Sequence, residues 1–349
     1  MDPITQGTLG AAAAAMVFPK LKRFRTKPFT FAKIAWMGAL GGMAADLDVL
    51  IRSASDPLLA IEYHRHFTHS LVFIPVGGAI SALPWLALRR YRARSRDVLL
   101  VSTLGYATHG LLDACTTYGT LLLWPFSTHR VSWGIVSVVD PLFTLPLLAA
   151  LVLAVRRQSP RWLHAGLLCA SLYLAWGWVQ RERALSAQTR MAAERGHVIE
   201  RSAVFPQFLN NVTWRSLYQS AGEYSVDKIR VPWFGKACVS PGVRVPVVDS
   251  QPLADPGEAR AHRLLRWFAS GWVAQDPDDP RVLGDLRYSF SPQEATPIWG
   301  ILDRHQEHAR GQALDPYQPR WVNNRGKRDI TWSDLRRSLF ENSADARCF

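Results

Sequence analysis

Cysteine is scarce in this sequence, four in 349 residues, and no segment repeats another. A disulfide scaffold needs denser cysteine and a fibre needs a repeat, so both classes are excluded. Intrinsic disorder is excluded as well, because 14 Trp and 48% hydrophobic residues supply ample material for a core. Acidic residues are in short supply, 28 Asp and Glu against 41 Lys and Arg, for a formal charge of +13. No glycine fingerprint of the Walker or Rossmann type is present, and Gly41-Gly42 and Gly77-Gly78 read as helix-packing residues. Ser70 and Thr68 adjoin imidazoles but no oxyanion-type glycine motif accompanies them, which argues against a serine nucleophile.

What is present is divided unevenly. Residues 1–180 are long apolar runs broken by short basic clusters, and they hold 17 of the Lys and Arg but only 8 of the Asp and Glu. Residues 181–349 read as a mixed polar, soluble segment. Basic residues confined to the loops of an apolar half indicate a membrane protein and not a nucleic-acid binder, whose cations would line a soluble face. The runs 34–51, 71–88, 98–123, 135–155 and 162–179 have about the apolar length that a hydrocarbon core of ~30 Å demands of a helix. The run 7–18 is short and Ala-rich, and no basic stretch precedes it, so it reads as a retained N-terminal helix and not as a signal peptide. The expected fold is therefore an α-helical integral membrane domain over 1–180, with about five spanning helices plus the short N-terminal one. A small soluble α+β domain over 181–349 follows.

The basic loops are 20–33, with six Lys or Arg, 89–96, with five Arg, and 156–161, with three. By the positive-inside rule they mark the cytoplasmic side. A multi-pass membrane protein is expected, with the C-terminal domain on the extracytoplasmic face. Asp2, Asp46, Asp48, Asp56, Glu62, Asp113 and Asp140 all fall toward the outer ends of their segments, with His64, His66, His69 and His109. Asp140 before Pro141 also has the form of a helix cap.

Three constellations go further. Asp46-Leu47-Asp48 closes an apolar helix, and its two carboxylates reach one site only where that helix frays. His64-Arg65-His66-Phe67-Thr68-His69-Ser70 places three imidazoles at a membrane entry. His109 and Asp113, four apart, share one helical face with a rise of about 6 Å between them. Histidine and carboxylate gathered from separate helices suit Zn²⁺ or Mn²⁺, one or two ions, and such a cation offsets the cost of burying these groups. The alternative for the same residues is an ion or proton pathway.

These residues resemble those of the LexA-regulated inner-membrane metal-dependent hydrolases of bacteria. The resemblance is carried by Met1-Asp2-Pro3-Ile4-Thr5-Gln6-Gly7, Ala45-Asp46-Leu47-Asp48, the 64–70 stretch, Thr108-His109-Gly110-Leu111-Leu112-Asp113, Thr116-Thr117-Tyr118-Gly119 and Val139-Asp140-Pro141-Leu142-Phe143-Thr144. It covers about the first 180 residues, and the tail shares it only through 205–210 and Trp214-Arg215. It implies metal-dependent hydrolysis with Asp48, His64, His69, His109 and Asp113 as ligands. Gln6 stands where some relatives have His, and His66 where the family usually has Gly, so neither joins that set.

On this reading a metal-activated water near the outer membrane–water boundary attacks a lipid-like or phosphoester substrate. Asp46 and Arg65 are the candidate catalytic residues, Arg65 by bidentate contact with a phosphate. The partners expected are the lipid bilayer and that substrate, with no nucleic acid. The alternative function is an ion- or proton-coupled transporter using the same His and Asp cluster. A third is a membrane-anchored scaffold, which leaves the cluster without a purpose.

In the tail, 259–273 has helical spacing, and 225–233, 243–248 and 282–290 are strand-like. Trp214, Trp233, Trp267 and Trp272 are expected in its core or against the bilayer. His305 and His308 read as surface residues, and Cys238 and Cys348 pair if the tail is extracytoplasmic.

Overall fold

The computed structural model describes residues 1–17, 29–53, 55–248, 256–302, 321–323, 333, 336 and 341–349. The basic stretch 20–27 and the pair His305 and His308 lie outside the described residues. The chain divides into two units. The first comprises Met1–Ile51, Tyr63–Trp178 and Phe208–Asn210, the second Arg52–Glu62, Val179–Gln207 and Asn211–Phe349.

The first unit is helical. Helix α1 (Pro3–Ala15) starts where Asp2 accepts from the Thr5 amide and Pro3 presets the first turn. Helix α2 (Phe31–Met43) is capped by Thr30 and runs into a 3₁₀ segment, Ala44–Leu50. The short α3 (Leu59–Tyr63) and a 3₁₀ turn, Phe67–His69, precede α4 (Ile74–Ala87). Then come α5 (Arg89–Arg92), α6 (Ser95–Ala114), α7 (Pro141–Arg157) and α8 (Arg161–Glu194), the last crossing into the second unit. Phe31, Ile34, Met37, Val98, Val101, Phe143 and Leu147 fill the core of the first unit.

Glycines let α1, α2 and α6 approach to backbone contact. A Cβ at Gly105 would lie 2.2 Å from the Gly38 carbonyl oxygen, and one at Gly10 would lie 2.5 Å from that same atom. Any side chain at either position would push the three helices apart.

The five crossings expected from the apolar runs are not formed. Among the described residues one helix, α8, is long and apolar enough to cross a membrane. Residues Leu59–His69 and α4 would qualify only together, and they are bent by 96° at their junction. The reason lies in where each run stops being helical. The run 34–51 is helical only to Met43, in an α-helix of 13 residues, about 20 Å at 1.5 Å per residue against the ~30 Å required. The run 71–88 gives 14, with Pro84 inside, and 98–123 leaves the helix at Ala114. The run 135–155 is not helical before Pro141. Helix α6 has the length, but Arg96, Asp97, His109 and Asp113 lower its apolarity. A multi-pass topology, and the sidedness drawn from alternating loops, therefore lose their basis.

The second unit is rich in β-structure. Strands β1 (Arg201–Pro206), β2 (Thr213–Ser220), β3 (Glu223–Arg230), β4 (Cys238–Ser240), β5 (Arg244–Pro246) and β10 (Arg347–Cys348) build one antiparallel sheet in the order β1-β2-β3-β4-β10, with β5 also on β3. Strands β6 (Val273–Gln275), β7 (Val282–Asp285), β8 (Trp299–Leu302) and β9 (Trp321–Asn323) form a second, and α9 (Pro256–Phe268) precedes β6. Trp214 and Trp272 are buried in this unit, whereas Trp267 is half-buried and Trp233 exposed. Cys238 and Cys348 face each other in the β4–β10 register and are joined by a disulfide.

Candidate metal centre

Three stretches of the first unit converge on one point. The first is the 3₁₀ segment after α2, which carries Asp46 and Asp48. Two residues advance about 240° in a 3₁₀ helix against about 200° in an α-helix, so their carboxylates lie closer in direction than α-geometry allows. Asp48 is the anchor here. Its Oδ2 accepts from the Arg65 backbone N–H at 2.8 Å and from the Thr68 hydroxyl at 3.1 Å. Its Oδ1 lies 3.0 Å from His64 Nδ1.

The second stretch carries His64, Arg65 and His69. Arg65 holds φ +60°, a left-handed conformation unusual for a side chain with Cβ. It persists because both of its peptide groups are engaged, the N–H by Asp48 and the carbonyl by the Leu121 N–H at 3.1 Å. The Arg65 guanidinium is buried. Its Nε lies 3.1 Å from Asp113 Oδ2, its Nη1 donates to Thr116 Oγ1 at 3.0 Å, and its carbon sits 5.1 Å from the centre of the Tyr118 ring.

Helix α6 supplies the third, His109 and Asp113, both fully buried one turn apart. The Nε2 atoms of His69 and His109 face each other at 3.0 Å. Asp113 Oδ2 lies 3.2 Å and 3.5 Å from them, and Asp46 Oδ1 lies 3.5 Å and 3.3 Å away. Four donor atoms thus surround one point, all within 4.8 Å of one another. A second such group comprises Asp46, Asp48 and His64.

The surroundings fit a cation. His109 Nδ1 sits 2.5 Å from the Gly42 carbonyl oxygen, which can only accept, so that nitrogen carries the proton and Nε2 presents its lone pair inward. His69 Nδ1 is engaged by Thr68 Oγ1 at 3.0 Å, with Asp48 Oδ2 at 3.4 Å. Asp113 Oδ2 is buried without a hydrogen-bond partner, although its other oxygen accepts from Gln6 Nε2 at 2.9 Å and from the Met1 amino group. Two inward lone pairs and a carboxylate oxygen held by the Arg65 ion pair alone make a donor set suited to Zn²⁺ or Mn²⁺.

All seven residues singled out in the sequence, Asp46, Asp48, His64, Arg65, His69, His109 and Asp113, are found here. Asp46, set apart in the sequence as catalytic, is part of both donor groups. His66 turns away and packs its ring near Tyr63, Phe67 and Trp124. Gln6, Thr68 and Thr116 are the supporting residues that sequence reasoning did not assign a role. Their signal was their place inside the quoted motifs. Asp140 caps α7, accepting from the Leu142 and Phe143 amides and from the Tyr173 hydroxyl.

The family described as YdjM inner membrane protein matches residues 1–184. The inner membrane protein YbcI of Escherichia coli (strain K12) is 32% identical over 110 residues, which cover 30% of this chain and 62% of that protein. The match therefore spans just under two thirds of that relative's length. No solved structure matches the chain.

Proposed function

This chain belongs to the YdjM inner membrane protein family, and we propose that it is an inner-membrane metal-dependent hydrolase acting on a lipid-like or phosphoester substrate. The observation that carries this reading is the meeting of the His69 and His109 Nε2 atoms with the Asp46 and Asp113 carboxylates, each imidazole held by its other nitrogen. A bound divalent ion supplies a water acidified toward neutral pH and polarises the bond under attack. His69, His109, Asp46 and Asp113 would hold that ion.

The remaining residues orient and admit. Arg65 and Gln6 take opposite oxygens of Asp113 and fix the plane of that carboxylate. Arg65 Nη2 makes no hydrogen bond among the described residues, which leaves it for a phosphate oxygen of the substrate. Asp46 and His64 are the partly exposed members, with 24% and 32% of their side-chain surface open, so substrate enters on their side.

The C-terminal unit is assigned to the extracytoplasmic side. Support comes from the Cys238–Cys348 disulfide, a bond that persists in oxidising compartments.

The hydrolase reading is tested with detergent-purified protein. Wild type should retain Zn²⁺ or Mn²⁺ through desalting, measured by elemental mass spectrometry, and should cleave a lipid phosphoester. Asp113→Asn should lower that cleavage by about 10- to 100-fold, as loss of support around a metal does, or by more if Asp113 is itself a ligand. Folded wild type that takes up no ion from added zinc or manganese would sink the proposal in favour of ion relay.

A further inference from the structure

Asp46 belongs to two donor groups at once, and from this the geometry points to a centre for two cations, with the Asp46 carboxylate bridging them. The inference rests on the metal-centre reading above and deepens it. Donor atoms around one Zn²⁺ lie about 2.0–2.2 Å from it, so no two of them are more than about 4.4 Å apart. The six His and Asp residues give two groups, each with donor atoms within 4.8 Å of one another, close to that limit. Asp46, His69, His109 and Asp113 form the first, and Asp46, Asp48 and His64 the second. A carboxylate offering one oxygen to each of two ions suits the ~3.5–4 Å separation of two-metal sites.

The second group has the marks of a site and not of a chance acidic cluster. An imidazole faces a carboxylate, His64 Nδ1 to Asp48 Oδ1 at 3.0 Å, and Asp48 is fully buried. The Arg65 amide and the Thr68 hydroxyl hold Asp48 Oδ2, which leaves Oδ1 turned toward His64. Asp48 also lies 3.4 Å from His69 Nδ1, so a ligand of the second ion supports a ligand of the first. Filling one group therefore orders the other.

The two positions differ in access. In the first group only Asp46 is partly exposed, whereas the second also includes His64, with 32% of its side chain open. The second ion is thus the exchangeable one and the one nearer incoming substrate. Two ions together would neutralise the attacking and leaving oxygens of a phosphoester, which favours that substrate class.

The test is stoichiometry and magnetic coupling in the full chain, loaded with Mn²⁺ and desalted. Wild type should hold about two ions and give the exchange-coupled electron paramagnetic resonance signal of neighbouring manganese. His64→Ala should hold about one and give the signal of isolated Mn²⁺. His64→Gln, which keeps the bulk of the side chain, serves if the alanine variant loses its helical circular dichroism. One uncoupled ion in wild type, unchanged in the variants, overturns the second site and leaves the hydrolase reading standing. No ion in wild type overturns both.

Discussion

His109 makes the chemistry of this centre depend on a backbone atom. Its Nδ1 donates to the Gly42 carbonyl, and only with that proton fixed does Nε2 point a lone pair at His69, Asp46 and Asp113. Gly42 is in reach because α1, α2 and α6 touch through glycine, with Gly105 set against Gly38. Gly105→Ala should force these backbones apart. We expect a loss of about 3 kcal/mol or more in stability, at the upper end of overpacking costs, seen as a lowered midpoint of thermal unfolding in detergent. Bound metal should fall with it. An unchanged midpoint would mean that α6 can shift without cost. At this scale the residue types were legible in the sequence: histidine and aspartate at His64, His69, His109 and Asp113 have few other reasons to gather in an apolar half. Their supports were only partly legible: Gln6 lies inside a quoted motif that does not name its partner, and the Gly42 carbonyl is a backbone atom that no motif marks.

Elements are where local signals and tertiary demands part. Asp140 before Pro141 announces a helix start, and α7 begins there with both cap amides taken by the Asp140 carboxylate. The same carboxylate accepts the Tyr173 hydroxyl from α8 through both oxygens. Asp140→Ala removes the cap, worth ~1 kcal/mol, and strands a half-buried phenol, worth ~1–2 kcal/mol. A combined destabilisation of about 2–3 kcal/mol should appear in chemical unfolding, with Asp140→Asn recovering roughly half. A loss confined to the cap value would show that Tyr173 finds water instead. The apolar runs behaved differently. Residues 34–51 are apolar apart from Asp46 and Asp48, yet the α-helix stops at Met43, because Asp48 is drawn to the Arg65 amide and Thr68 and the chain tightens to deliver it. Hydropathy registers none of this, since it sums residues without asking where a carboxylate is bonded.

For the molecule as a whole, α8 is the described helix able to cross the inner membrane, and its apolar window is only 22% buried within the protein. The outward faces of the first unit also carry large apolar side chains, Trp36, Leu83, Leu145 and Leu172 among them. An apolar exterior of this extent belongs against lipid or another apolar partner, in keeping with an inner membrane family. The second unit is closed at its C-terminal end by the Cys238–Cys348 bridge across 110 residues. If that unit is extracytoplasmic, a variant retaining only these two cysteines should resist an impermeant maleimide on spheroplasts. It should react fully once an impermeant reductant is added. Labelling without reductant, or only after lysis, would place the unit on the other side or leave the thiols unpaired.

The sequence by itself determined the residue chemistry and the division of character between an apolar N-terminal half and a polar C-terminal one. Composition and short-range spacing report directly on both. The one-turn pairing of His109 with Asp113 and the capping role of Asp140 were legible for the same reason, being local. Only the tertiary structure decided that the apolar runs yield one helix long and apolar enough to cross a membrane and several short ones, and that Asp46 stands between two donor groups. Both outcomes arise from contacts between residues far apart in the chain. Asp48 reaches its bonding partners 17 and 20 residues on, His109 its carbonyl 67 residues back, and Gln6 its carboxylate 107 residues away. Polar groups that must be satisfied in a low-dielectric interior bend the chain to meet each other, and they set helix ends that apolar length alone does not.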